Sequence, residues 1–407
     1  MKKVVVDLAN IVTDKVKSLI QENPYGYAEG ISSVAQELES VRKYRMKDFD
    51  NVIGYLIEEE LNLFKSNTSN EEKTQGSLVF DTSKKILEEV KALRRTRNRK
   101  TNRVDTNILT HAPYFAGGSK TRKQKAKQDG YIALDKQGIR KLTYENDMGM
   151  MLTMVDAKVL FSLFSIWEDQ QFSDWLSFSE YQLLDKMGSG IGGKQYALLR
   201  ESLEKLRNTS VVFNEAYNHE KGTRYSTERF KLIIADKFVV EEDKKGKVLS
   251  KEYSIQFSKH INTSIRSGYY SLVSLAILNE LELATAQGIY LLLAGIADMD
   301  RKESYIKQNE EYVFDLSELY ESLFLENESK HNRKTVERGC EELKESGVIQ
   351  DFYFKKEGKK YSSLVITLSD WSQDIINRRE NTTLETEQLS FLETGNLSNQ
   401  HKNTSDK

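Results

Sequence analysis

The sequence is poor in cysteine, proline and histidine, and each shortage excludes something. Cys340 is the only cysteine, so neither an internal disulfide nor a cysteine-built zinc site can form. The five histidines, His111, His219, His260, His331 and His401, never fall at H-x-H, H-x-x-H or HExxH spacing. The usual local metal motifs are therefore missing, and no metal or cofactor is expected. The absence of an H-x-H pair beside a tyrosine also argues against a nicking enzyme. Carboxylates are too dispersed to nominate an acid–base pair, so no enzyme is expected. No run of 18 apolar residues occurs, which excludes a transmembrane helix by this criterion. The N-terminal MKKVVVDLANIVTDK lacks the long apolar core and small-residue cleavage site of a secretory signal. The expected class is soluble and cytoplasmic, with no membrane partner.

With 407 residues, two or three domains are expected. The 60 Lys+Arg nearly balance the 62 Asp+Glu, so the informative charge is local. Residues 1–90 read as a helical N-terminal region, because Ile31–Arg45 and Met46–Phe64 repeat apolar residues at three- and four-residue steps. Residues 91–140 read as a basic linker or arm. Between 91 and 128, twelve cations (Lys91, Arg94, Arg95, Arg97, Arg99, Lys100, Arg103, Lys120, Arg122, Lys123, Lys125, Lys127) face one acid, Asp105. Such a run is either a solvated linker or a polyanion-binding arm that gains affinity by releasing phosphate counterions.

From residue 140 a pattern appears twice. Leu152–Trp167 is an apolar helix with Thr153 or Asp156 as its cap. Ser177-Phe-Ser-Glu180 has capping-box spacing and opens a short helix. Gly188–Gly193 turns the chain into a helix over Lys194–Asn208, followed by β-type runs at Val211–Tyr217, Phe230–Glu241 and Val248–Phe257. Later come Ala284–Asp298, a short helix capped by Asp315, a third helix over Asn332–Ser346 closed by Gly347, and strands Val348–Lys355 and Tyr361–Leu368. Ser179-Glu180 lies over Ser317-Glu318 at an offset of 138. Leu206 lies over Leu343, and Val211-Val212 over Val348-Ile349, at an offset of 137. Helix, short helix, turn, helix, strand, hairpin, strand is the winged-helix order. The expected fold is α+β: tandem winged-helix domains at 141–262 and 263–372, preceded by the helical N-terminal region and followed by a disordered tail over 373–407.

In the third helix of the second repeat, Val336, Cys340 and Leu343 share an inward face. The outward face then carries His331, Lys334 and Arg338, with Lys330 and Arg333 near its start. Cations at a helix N-terminus and acids (Glu341, Glu342, Glu345) at its end oppose the helix dipole, so stability does not explain the placement; contact with DNA does. The first repeat offers Lys194, Arg200 and Lys205, with Glu201 also outward. The hairpin turns add Lys221, Arg224, Lys355, Lys356, Lys359 and Lys360 for phosphates.

Gly188-Ser-Gly190-Ile-Gly-Gly193-Lys194 fits G-x-G-x-x-G and nearly a P-loop, but a helix precedes it and Gln195 stands where a hydroxyl would hold magnesium. It reads as the turn between two helices. In the tail, Gln388, Leu389, Phe391 and Leu392 resemble the short sliding-clamp-binding peptide, with the last two apolar residues exchanged.

The segments LTMVDAKVLFSLFSIWED, LSFSEYQLLDKMG and KQYALLRESLEKLRNTSVV resemble the first winged helix of theta-type plasmid replication initiators, and VFDLSELYESL with KHNRKTVERGCEELKESGVI resembles the second. The resemblance covers roughly residues 140–370. It implies binding of double-stranded DNA at directly repeated origin sequences (iterons), recruitment of host initiator and helicase, and a switch between dimer and monomer. It carries DNA contact onto Lys334 and Arg338, and onto Lys194 and Arg200. The alternative is a winged-helix transcriptional regulator, with residues 1–90 as its sensor.

Overall fold

A computed structural model describes residues 3–41, 44, 46–98, 100–111, 131–136, 140–146, 152–213, 217–218, 223–224, 228–242, 248–268, 270–299, 311–323, 325 and 328–369. The chain divides into two compact units, Met1–Lys100 and Thr101–Lys407.

The N-terminal unit contains helices α1 (Lys3–Glu22), α2 (Tyr27–Ser40), α3 (Met46–Lys65) and α4 (Asn70–Asn98). Leu8, Val12 and Val16 of α1 meet Ala35 and Leu38 of α2, Phe49, Val52 and Leu56 of α3, and Ile86, Leu87 and Val90 of α4 in one core. Helical spacing alone explains which side chains turn in.

α4 corrects the expected basic arm over 91–140, because it runs through the first part of it. Lys91 pairs with Asp50 at 2.7 Å and Glu88 at 3.1 Å. The Arg94 guanidinium is 1% exposed, lies 4.7 Å over the Phe49 ring, and donates to the carbonyls of Val41 (3.0 Å) and Tyr44. Arg97 pairs with Glu39 at 2.5 Å. Three of the twelve cations thus tie α4 to α2, α3 and the turn between them. The expected helix over Ile31–Arg45 stops at Ser40 for the same reason: Val41 is extended (ψ 93°) and offers its carbonyl to Arg94. Lys120, Arg122, Lys123, Lys125 and Lys127 lie outside the described residues, as does the tail with its clamp-peptide resemblance at Gln388, Leu389, Phe391 and Leu392.

The second unit is α+β, a tandem of winged helices. It opens with β1 (Asn102–Asp105) and α5 (Thr106–His111), then a hairpin of β2 (Tyr131–Lys136) and β3 (Arg140–Asn146). The first repeat follows as α6 (Met154–Asp169), β4 (Leu176–Phe178), α7 (Glu180–Lys186) and α8 (Gly193–Arg207). Strands β5 (Thr209–Phe213), β6 (Tyr217–Asn218), β7 (Thr223–Arg224), β8 (Glu228–Lys231), β9 (Ile233–Glu242) and β10 (Val248–Phe257) complete it. A joint of α9 (Lys259–Arg266), β11 (Tyr270–Val273) and α10 (Leu275–Glu280) leads to the second repeat: α11 (Ala284–Met299), β12 (Glu311–Asp315), α12 (Leu316–Ser322), α13 (Ser329–Glu345), β13 (Ile349–Glu357) and β14 (Lys360–Leu368).

Sheet register defines the duplication. The sheets run β4-β10-β9 and β12-β14-β13. Phe257 opposes Ile233 and the next pair slips by one residue; Leu368 opposes Ile349 with the same slip. Ser258 donates to the Leu232 carbonyl at 3.2 Å, as Ser369 does to Val348 at 3.3 Å. β13 therefore corresponds to β9, and the offset of 137 that lays Val211 over Val348 is a coincidence. β5 belongs instead to an added sheet, β2-β3-β5-β8, in which β5 and β8 lie between α8 and β9 in the chain and β2 and β3 precede α6. The offset of 137 does hold within the third helices, where buried Leu199, Ser202 and Leu206 match buried Val336, Gly339 and Leu343. The helix caps match at an offset of 136. Ser179 accepts the amide hydrogen of Gln182 at 3.1 Å, and Asp315 accepts those of Ser317 and Glu318 at 2.8 and 3.0 Å. Ser177, a member of the expected capping box, sits in β4 and bonds Ser254 at 2.9 Å.

Both repeats share one core. Phe164 and Trp167 of α6 each lie 4.9 Å from the Phe257 ring, and each fully buried side chain of this size contributes about 1.5–3 kcal/mol. The expected boundary after residue 262 falls inside α9, and β1 pairs with β11 across it. The joint therefore belongs to both repeats.

Asp156 organises the first repeat. Its Oδ2 receives the Thr153 amide at 2.6 Å and the Thr153 hydroxyl at 2.8 Å, while Oδ1 receives the Ser202 hydroxyl of α8 at 2.5 Å. One buried carboxylate caps α6 and holds α8 against it. Asp156→Ala leaves these donors without an acceptor, and urea unfolding monitored by circular dichroism should show a loss of about 2–4 kcal/mol.

Candidate nucleic-acid interface

α13 lacks a side-chain cap at Glu328 and begins with polar and basic residues. Val336, Gly339, Cys340 and Leu343 are buried, so the opposite side of the helix faces solvent. Lys330, His331, Lys334 and Arg338 are exposed along its first half; Glu341 and Glu345 are exposed along its second. The inward placement of Cys340 agrees with its spacing. Burial, with Glu337 and Glu341 nearby, pushes its thiol far above the usual range.

Glu342 departs from the sequence reading. It is buried, and its carboxylate receives the amide hydrogens of Glu282 (2.6 Å) and Leu283 (2.9 Å), immediately ahead of α11. It is a helix cap, favourably placed at the positive end of α11. Burial also lowers the pKa of the Lys158 ammonium on α6, and the Glu342 charge acts against that shift. Asn332 likewise turns inward, donating to the Leu325 carbonyl at 3.1 Å.

Arg333 is placed differently from its neighbours. Its side chain is 21% exposed and pairs with Glu337 at 3.5 Å. The guanidinium carbon lies 4.6 Å from the Tyr361 ring centre and 5.6 Å from that of Phe354, both on the hairpin.

β13 and β14 form that hairpin. Glu357 pairs with Lys360, leaving a two-residue loop of Gly358 and Lys359. Gly358 has φ +62°, a conformation suited to the first position of such a loop. Lys359 and Lys360 are exposed at the tip. Lys355 lies 5.8 Å from the Tyr353 ring and Lys356 4.7 Å from the Tyr361 ring, so both ammonium groups rest on aromatic faces.

In the first repeat the expected cations divide. Lys194 is exposed at the start of α8. Arg200 instead meets the buried Glu180 carboxylate through Nε and an NH2 group at 2.6 and 2.9 Å, and Tyr253 donates to the same carboxylate at 3.0 Å. Glu180 raises the guanidinium pKa further above its ordinary value. Lys205 is largely covered and lies 2.7 Å from Glu201 and 3.8 Å from Asp156. The outward face of α8 therefore shows Ala197, Leu198, Glu201 and Glu204 beside Lys194 and the half-exposed Arg200. Arg224 lies in β7, and Lys221 is outside the described residues.

The glycines at 188–193 form the turn between α7 and α8. Gly188 (φ +66°) ends α7 with bonds from Gly188 N to Asp185 O (2.9 Å) and from Ser189 N to Leu184 O (3.0 Å). Gly347 (φ +73°) ends α13 with the equivalent pair. Both are Schellman caps, and neither is a phosphate cradle following a strand. Among the described residues no group of His, Cys, Asp or Glu could hold a metal ion, and no helix is long and apolar enough to cross a membrane.

The sequence reading missed Asp156 as the link to α8, Glu342 as a cap, and Tyr361 and Phe354 as partners of Arg333. Only the first left a local signal, in the Thr153–Asp156 spacing.

A family model described as replication initiator protein A matches residues 121–338. None of the curated proteins compared matches the chain. Among solved structures, domains 2 and 3 of RctB are similar at 14% identity and TM-score 0.44, covering 65% of this chain and 98% of that one. The Pi initiator protein in complex with iteron DNA is similar at 12% identity and TM-score 0.28, covering 67% of this chain and 99% of that one.

Cys340 yields a direct check on the orientation of α13. Thiol reagents attack the thiolate, so the native protein should label slowly, and labelling should accelerate only as denaturant unfolds the second repeat. Rapid labelling of native protein would mean that α13 is rolled differently.

Proposed function

Because this chain belongs to the replication initiator protein A family, we propose that it starts plasmid replication by binding repeated origin sequences in double-stranded DNA. The observation that carries this reading is the exposed row of Lys330, His331, Lys334 and Arg338 along the front of α13. These side chains can enter a major groove together, with Lys334 and Arg338 at base edges and Lys330 and His331 toward phosphate. Lys359 and Lys360 at the hairpin tip reach the adjacent backbone. Lys194 adds a contact from the first repeat, with Arg200 presenting the guanidinium hydrogens that Glu180 leaves free. The basic run at 120–127 supplies sequence-independent attraction. The protein acts by binding, in the cytoplasm, without a catalytic step or cofactor of its own. It recruits the host initiator and helicase to the opened origin, changes between dimer and monomer, and engages the sliding clamp through Gln388, Leu389, Phe391 and Leu392.

The decisive experiment is genetic. The gene beside its own upstream DNA should sustain an otherwise non-replicating circle, and the purified protein should protect several direct repeats there. Protection of a single palindrome over a promoter, without replication, would instead identify a transcriptional regulator. Lys334→Ala and Arg338→Ala should each weaken specific binding by about 1–3 kcal/mol in a titration against the protected duplex. Unchanged affinity in both variants would remove α13 as the reading helix.

A further inference from the structure

The hairpin of β13 and β14 ends in a two-residue tip whose lysines can bind DNA together with α13 only if the tip is held at a fixed distance from the helix. Lys344 of α13 pairs with Asp351 at the base of the hairpin, and nearer the tip Arg333 connects the two elements. Arg333 leaves α13 in its second turn, and its guanidinium lies 4.6 Å from the Tyr361 ring centre and 5.6 Å from that of Phe354. Tyr361 is adjacent in sequence to Lys360, and it pairs in register with Lys356. The Lys356 ammonium lies 4.7 Å from the same ring, and Glu337, one turn along α13, meets the Arg333 guanidinium at 3.5 Å. Rings and a carboxylate therefore occupy the guanidinium, and its side chain is only 21% exposed. A flat, weakly hydrated cation suits this role, whereas an ammonium would not stack in the same way.

We propose that Arg333 is a positioning residue, which fixes the hairpin against α13 so that Lys359 and Lys360 meet the DNA backbone while the helix occupies the groove. This rests on the DNA-binding role assigned to α13. Its physical content is an effective concentration: a held tip binds as part of the same event, and a loose tip adds little. The positive charge at Arg333 is then less important than its shape and its stacking partners.

The test is a mutant cycle on the full chain, using a short random-sequence duplex as probe because phosphate contacts do not depend on sequence. Lys359→Ala with Lys360→Ala should lower the salt slope of binding by roughly 0.9 per lysine in the parent protein. In an Arg333→Lys background, which keeps the charge, the same pair should change the slope hardly at all. Arg333→Lys alone should lose the hairpin's share of the slope while α13 remains folded by circular dichroism. If Arg333→Lys does not fold, Tyr361→Leu removes the stacking partner from the other side and is read in the same way. Equal losses in both backgrounds would overturn the proposal, and so would no loss in the parent. If Lys334→Ala and Arg338→Ala also leave affinity for this probe and for the protected duplex unchanged, the DNA-binding role of α13 itself has failed. A cost from those two, combined with equal lysine losses, defeats the positioning role alone.

Discussion

Glu342 accepts two amide hydrogens ahead of α11 while Gly339, one turn earlier on α13, lets the α11 backbone approach, and together these residues fix the roll of α13 about its axis. A Cβ at residue 339 would sit 3.1 Å from the Ala286 nitrogen, closer than packed atoms comfortably lie. Val336, Cys340 and Leu343 extend the same contact line into the core. Once that side is committed, geometry leaves Lys330, His331, Lys334 and Arg338 outside. The exposed basic row is thus a consequence of a buried contact, and at about 100° per residue a slip of one residue would carry Arg338 into the place of buried Gly339.

The two repeats use the same frame for different ends. Equivalent strands share a register slip, and equivalent helix caps share a position. The third helices differ in what their cations do. In α13 Lys330, Lys334 and Arg338 remain exposed along the front of the helix. In α8 Arg200 pairs with Glu180 of α7 and Lys205 approaches Asp156 of α6, so they hold helices to one another. A buried carboxylate beneath a helix tends to recruit the nearest cation, and α8 has two such carboxylates beneath it.

Much of this was legible in the sequence, and the failures are specific. Apolar spacing located α6, α8, α11 and α13 and the inward face of each third helix, because burial repeats at three and four residues. It could not tell that β5 belongs to an inserted sheet, since Val211-Val212 and Val348-Ile349 are equally β-prone and register is a matter of long-range pairing. Charge counting treated Lys91, Arg94 and Arg97 as a free arm. Their partners Asp50, Phe49 and Glu39 are about 40 to 60 residues away in the chain and become neighbours only in the folded helices. The spacing of Arg333 likewise gives no sign of its ring partners, because Tyr361 and Phe354 lie across a turn and a hairpin.

The pairing of β1 with β11 carries a kinetic consequence. Asn102–Asp105 register residue for residue with Tyr270–Val273, and next to them the hydroxyls of Thr106 and Ser271, 165 residues apart in sequence, bond at 3.0 Å. Closing a loop of that length costs chain entropy before the contact returns it. The clasp therefore shuts only after the first repeat, which lies between its two halves in the chain, has become compact.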